Sequence, residues 1–151
     1  MREAVGSTFL FKLMIFFIFF FASFLAIAIN YSQAFRIKNQ IISILEQYEG
    51  YTKEAYDKIF ETIGNSGYYS GHTCTSDEGI APGSENGTLA TVNGVCINGT
   101  SSGPEGKYRI YKVSTYVSFE FPVLGNVFTI PVRGETKVIT NPPDAGDDPT
   151  V

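Results

Sequence analysis

The chain has 151 residues, two cysteines, no tryptophan and a formal net charge of −4. That length allows one modest domain with appendages, and a core that small usually gains from a covalent staple. Lys and Arg are nowhere clustered, so the charge argues against a nucleic-acid partner.

Residues 1–12 form a short arm carrying Arg2, Glu3 and Lys12. Lys12 stands at the apolar edge, where its stem can lie along lipid while the ammonium reaches the headgroups. From Leu13 to Ile29 every residue is apolar except Ser23, and twelve of them are Leu, Ile or Phe. As a helix this stretch covers about 25 Å, and Phe9 to Phe11 bring it close to the ~30 Å hydrocarbon thickness. A transmembrane helix over 13–29, embedded in membrane lipid, is the expectation. A cleaved secretory signal competes with it, because Ala26-Ile27-Ala28 offers a small-x-small site. The apolar stretch exceeds the usual length of such a signal and helical periodicity continues through the site, which favours a retained anchor.

Residues 30–63 read as an amphipathic helical region. Ala34, Ile37, Ile41, Ile44 and Tyr48 recur in alternating steps of three and four, the stripe of one helix face. Phe35, Ile42 and Leu45 widen it beyond a coiled-coil seam, so it suits packing on a sheet or between helices. These residues are the predicted packing and assembly surface. Gly50 interrupts the pattern. Thr52 is a predicted N-cap for a short second helix, with Glu54 favourable in its first turn. Ala55, Ile59, Phe60 and Ile63 supply its apolar face, and Gly64 its stop.

Residues 64–141 read as a disulfide-tied loop followed by a small antiparallel sheet. Gly64 to Gly106 is rich in Gly, Ser, Thr and Asn, with one short hairpin predicted where Leu89 to Val92 and Val95 to Ile97 flank Asn93-Gly94. Lys107 to Phe121 is the clearest strand. Tyr111, Val113, Thr115, Val117, Phe119 and Phe121 fall on one face, and Lys112, Ser114, Ser118 and Glu120 on the other, where Tyr108, Ile110 and Tyr116 add apolar surface. Pro122 ends it, Gly125-Asn126 supplies the turn, and Phe128, Ile130 and Val132 alternate on the returning strand. Pro131 cannot donate to a ladder, which places that strand at an edge or a bulge. Glu135 to Thr140 is the predicted third strand. Residues 142–151 are rich in Pro, Gly and Asp and read as a disordered tail.

Three readings of Cys74 and Cys96 compete. A disulfide suits a small domain beyond the membrane and would close a loop worth about 3 kcal/mol by chain entropy. Two free thiols would suit a cytosolic loop. A metal site with His72 has only three candidate ligands and no closely spaced cysteine pair, so no metal or cofactor is expected. The positive-inside rule is nearly balanced between Arg2 and Lys12 on one side and Arg36 and Lys38 on the other. The disulfide reading breaks the tie, with the N-terminus cytoplasmic and the C-terminal domain extracellular.

Signals for chemistry are weak. His72 is the lone histidine, in a Gly-rich stretch, and reads as exposed; no nucleophile elbow accompanies it. Asp77 and Glu78 are adjacent and project differently, which does not favour a carboxylate pair. Asp144, Asp147 and Asp148 do not follow a calcium-loop spacing. Asn86-Gly87-Thr88 and Asn98-Gly99-Thr100 match the glycosylation acceptor pattern, which Asn-Gly turns also generate. No catalytic residue is assigned, and an enzyme is not expected.

The layout resembles type IV pilin-like proteins, in particular the TadE-like minor pilins of bacterial tight-adherence pili. The resemblance rests on Gly6-Ser7, the apolar helix running into an amphipathic one, the stretch from Tyr111 to Gly125, and the stretch from Phe128 to Thr136. It departs at the processing junction: with Gly6 as the last leader residue, Phe11 stands where such proteins carry Glu. The resemblance implies a non-enzymatic, single-pass component of a surface pilus or secretion assembly. Its partners would be other pilin-like subunits and a membrane assembly platform. A membrane-anchored extracellular binding module is the alternative. The expected fold is α+β: a long N-terminal transmembrane helix continuing into an amphipathic helix, a short second helix, then a small antiparallel sheet.

Overall fold

Between Ser7 and Glu49 the chain contains neither Gly nor Pro, and it forms a single helix there. In the computed structural model, which describes residues 2–75, 77–79, 94–102, 107–121, 125–140 and 142, helix α1 spans Arg2–Gln47. It ends in a Schellman-type turn. Glu49 takes the left-handed conformation (φ 54°), and the Gly50 amide donates to the Leu45 carbonyl at 2.9 Å.

Two compact units, Met1–Ser32 and Gln33–Val151, make up the chain. In the first, α1 carries its large apolar side chains outward; Phe19, for example, is 70% exposed. The one hydroxyl of the apolar run is satisfied within the helix, Ser23 donating to the Phe19 carbonyl at 2.9 Å. This helix is long and apolar enough to cross a membrane.

The second unit is layered. On one side lie the end of α1 and helix α2 (Lys53–Ser66). Thr52 caps α2 as predicted, its Oγ1 accepting from the Ala55 amide at 3.2 Å. The stop differs from the prediction: Gly64 lies inside the helix, which continues to Ser66 and closes on left-handed Gly67 (φ 64°). A Gly in a last turn costs little, because neighbouring packing outweighs its lower propensity. Ala55, Ile59 and Ile63 are buried, as the apolar spacing requires.

The middle layer is an antiparallel sheet of β1 (Val95–Ser102), β2 (Tyr108–Phe121) and β3 (Gly125–Glu135), in the order β1-β2-β3. Val95 stands opposite Thr115 and Ser102 opposite Tyr108, while Lys112 stands opposite Glu135. A bulge lies between Phe119 and Glu120. β3 is an edge strand, as Pro131 indicated.

Two strand predictions are corrected. The third strand is β1, reaching eight residues from Val95 and pairing with β2; Leu89 to Val92, its predicted hairpin partner, lie outside the described residues. Polar Asn98 to Ser102 hid this strand, because an open edge supplies no apolar alternation to read. Glu135 to Thr140 makes no separate strand. It continues irregularly along β2, with the Thr136 amide donating to the Tyr111 carbonyl and a bridge between Arg109 and Ile139. Gly125 and Asn126 lie within β3 opposite Phe121 and Glu120, not in a turn. The predicted tail beyond Pro142 falls outside the described residues.

The helix-facing side of the sheet carries Val95 and Ile97, Tyr111, Val113, Thr115 and Val117, and Val132, all buried. Against them lie Ala34, Ile37, Ile41, Ile44 and Leu45 of α1. The Thr115 hydroxyl donates to the Ala34 carbonyl at 3.1 Å, fixing the helix on the central strand. The other face of β2 is covered as well. Ser114 and Tyr116 are buried there, because Tyr68 to Gly79 crosses it as a third layer.

Candidate functional site

The third layer gathers the residues with chemical potential. Cys96 pairs with Ser114 and so points away from the helices, toward the crossing segment. There it forms a disulfide with Cys74, with Cα atoms 5.7 Å apart. The bond ties the segment to the sheet where Gly79 lies against β1. A Cβ on Gly79 would fall 2.1 Å from the Ile97 carbonyl oxygen, and its φ of 95° is open to glycine.

Beside the disulfide lies a group of three side chains. His72 Nε2 is 3.0 Å from Glu78 Oε2, and the imidazole stacks on the Tyr116 ring with centroids 3.6 Å apart. The Tyr116 hydroxyl donates to Glu78 Oε1, and the Thr75 amide donates to Glu78 Oε2 at 3.1 Å. With a carboxylate as partner, the His72 proton belongs on Nε2. Burial pushes the Glu78 carboxyl up, but the bonds from Tyr116, His72 and Thr75 outweigh it and hold the group at about 2. The Tyr116 phenol moves the opposite way: burial raises it, and the hydrogen bond and negative charge of Glu78 raise it further.

His72 is thus half-buried and partnered rather than the exposed histidine expected. Its neighbours explain the difference, since Glu78 lies six residues on and Tyr116 on a distant strand. Asp77 and Glu78 diverge as adjacency implied, with Asp77 exposed and Glu78 turned inward. The arrangement suits holding a segment in place better than proton transfer. The carboxylate is deeply stabilised as an anion, and the phenol is held protonated.

His72, Glu78 and Cys96 place three potential metal-ligand atoms within 4.8 Å of one another. Cys96 Sγ is committed to Cys74, so the disulfide-bonded protein offers two free donors there.

Next to Glu78 a groove of about 580 Å³ runs over the outer face of the sheet, bordered by Asp77, Asn98, Lys112, Arg133 and Glu135. Its charges are mixed, and Lys112 pairs with Glu135 at 3.7 Å across the strands. A second groove of about 460 Å³ separates α1 from α2 and is lined by Gln33, Arg36, Gln40, Lys58 and Asn65.

Of the predicted packing residues, Ala34, Ile37, Ile41 and Ile44 are buried within this chain's own fold, while Tyr48 is 36% exposed. Asn86 and Asp144 to Asp148 lie outside the described residues. Comparison with protein-family models, curated proteins and solved structures found no match.

Proposed function

We propose that the protein is a non-enzymatic, single-pass membrane component of a bacterial surface pilus or secretion assembly, resembling the TadE-like minor pilins. One observation carries this reading: α1 exposes large apolar side chains from Phe9 to Tyr31, and then buries the stripe Ala34, Ile37, Ile41, Ile44 and Leu45 within the head. Such a helix gives one chain both a lipid-soluble segment and a stripe that packs in a folded head. The N-terminal arm is cytoplasmic and the head extracellular in this reading, supported by the Cys74–Cys96 disulfide of the head. Because the Ala34 to Ile44 stripe is already covered, partner subunits and an assembly platform would meet the exposed residues before Ser32 instead.

Photo-crosslinkers placed at Phe16 and Phe20 test this in membranes of the source cells. Recovery of pilin-like subunits or a polytopic platform protein is the expected result. Recovery of lipid adducts alone overturns the assembly role. A second reading, a membrane-anchored extracellular binding module, is favoured by the mixed-charge groove beside Glu78. Lipid adducts alone, with the head facing outward, would leave that reading in possession.

A further inference from the structure

The sequence offered three metal ligands at most; the fold supplies a fourth. Glu78 turns inward and joins His72 beside the two cysteines. We propose that the chain, when Cys74 and Cys96 are thiols, binds one zinc ion through Cys74, Cys96, His72 and Glu78.

The donor set suits zinc. Two thiolates, one imidazole nitrogen and one carboxylate oxygen complete a tetrahedral shell, whereas magnesium and calcium prefer oxygen donors only. The spacing suits it too. A tetrahedral shell with bonds of about 2.0–2.3 Å places neighbouring ligand atoms about 3.3–3.8 Å apart. His72 Nε2 and Glu78 Oε2 stand 3.0 Å apart, and each residue has a ligand atom within 4.8 Å of Cys96 Sγ. Cys74 is covalently joined to Cys96; once the disulfide opens, the two sulfurs separate to the roughly 3.8 Å of neighbouring tetrahedral ligands, which brings Cys74 in as the fourth donor.

The surroundings orient the ligands. Tyr116 donates to Glu78 Oε1 and the Thr75 amide to Oε2, which holds Oε2 beside His72, and the Tyr116 ring supports the imidazole from one face. Cys96 is fully buried and its partner donors half-buried, so solvent competes weakly. Gly79 closes the segment against β1 on the far side of Glu78.

The chemistry balances. A dithiol reductant gives two electrons and two protons to the Cys74–Cys96 bond, which becomes two thiols, and leaves as a cyclic disulfide. Zinc then forms two Zn–S bonds and releases the two thiol protons, while the His72 proton moves from Nε2 to Nδ1 so that Nε2 can bind the ion. Zinc and the disulfide are therefore alternative staples for one segment. A newly made chain, whose cysteines are thiols, holds the ion until oxidation expels it.

The test uses the full chain in detergent micelles. It is reduced with dithiothreitol, freed of reductant under anaerobic conditions, and titrated with Co²⁺ and then Zn²⁺. The expected result is a one-equivalent endpoint with the visible band of four-coordinate cobalt and a thiolate charge-transfer band, both abolished by zinc. The oxidised chain should show neither. His72→Ala and Glu78→Gln should each weaken cobalt binding at least about tenfold, while Asp77→Asn leaves it unchanged. An octahedral spectrum from the reduced chain overturns the proposal. So does four-coordinate binding that is indifferent to both His72→Ala and Glu78→Gln. If reduction alone abolishes the circular dichroism of the sheet, zinc must restore it; failure to do so also overturns the proposal.

Discussion

The Tyr68 hydroxyl engages both backbone groups of Tyr116, accepting from its amide at 2.7 Å and donating to its carbonyl. It stands where β1 would continue, next to the Gly94 carbonyl, and so completes the ladder at the end of that strand. Since these Tyr116 groups face away from β3, the opposed Pro131 exchanges no backbone bond with it. The missing proline donor then falls on the open edge of the sheet. One tyrosine hydroxyl and one proline ring thus agree about which way the strand faces.

Tyr68→Phe removes that hydroxyl and leaves a buried amide and carbonyl unpaired. At about 1–3 kcal/mol for each unsatisfied group, partly relieved by water, the variant should lose about 2–3 kcal/mol. Urea unfolding of the protein in micelles measures this. The exposed neighbour Tyr69, substituted to Phe in parallel, should change nothing. Equal stability for the Tyr68 variant and wild type would contradict the strand-completing role.

Ile41 lies in the middle of the apolar stripe of α1 and is fully buried. Ile41→Ala should cost about 2–5 kcal/mol through lost transfer energy and the cavity left behind. Ile130, 38% exposed at the edge strand, should cost much less when changed to Ala. If the two substitutions are equivalent in a thermal melt, α1 does not pack as described.

How legible this was in the sequence differs by region. The 3-4 spacing of Ala34 to Ile44 identified the buried helix face, and the alternation from Tyr111 to Val117 the buried strand face, because each is a period set by backbone geometry. The Thr52 cap was equally local. The outer half of β1 escaped because it is polar and its partners lie on another strand, from Ser102↔Tyr108 back to Val95↔Thr115, so pairing rather than pattern defines it. Tyr116 looked like spare apolar surface on the polar face of its strand. Only the fold brings Tyr68, His72 and Glu78 over it, and no spacing rule joins residues 48 and 44 positions apart.

Cys74→Ser with Cys96→Ser removes the disulfide and the thiols together. The loop it closes spans a sequence separation of 22, worth about 3 kcal/mol by chain entropy. The double variant should unfold at correspondingly lower urea, and limited proteolysis should cut first between His72 and Gly79. Unchanged protection of that segment would mean that the Glu78 contacts alone suffice to hold it.

Glu78 makes the oxidised, metal-free head sensitive to acid. Its carboxyl lies at about 2 when folded, below the ordinary 4.5, because the bonds from Tyr116, His72 and Thr75 outweigh the upward push of burial. A group depressed on folding stabilises fully above the unfolded value, and that contribution fades as pH falls from 4.5 toward 2. With the side chain 21% exposed, the amount is on the order of 2 kcal/mol. Urea midpoints taken with a chelator from about pH 6 down to about pH 2.5 should therefore converge for wild type and Glu78→Gln. Parallel curves with a constant gap would remove the ionic contribution.

Insertion of α1 can be titrated by charge. The twelve Leu, Ile and Phe residues from Leu13 to Ile29 favour the bilayer by about 4–7 kcal/mol at roughly 0.3–0.6 each, an upper bound since those values hold at mid-bilayer. One lysine near the centre costs about 3 kcal/mol, so Phe21→Lys should remain mostly in the membrane. Phe17 and Phe21 lie one helical turn apart, and Phe17→Lys with Phe21→Lys together costs about 6 kcal/mol, enough to cancel the whole preference. Alkaline carbonate extraction reads the outcome. Wild type should stay in the pellet, the single variant should stay mostly there, and the double variant should be released. Ser23→Leu should stay in the pellet with wild type, because the Ser23 hydroxyl already bonds the Phe19 carbonyl and adds little polarity to the surface. Release of the wild-type chain would show that α1 lies along the membrane or is covered by protein rather than spanning the bilayer.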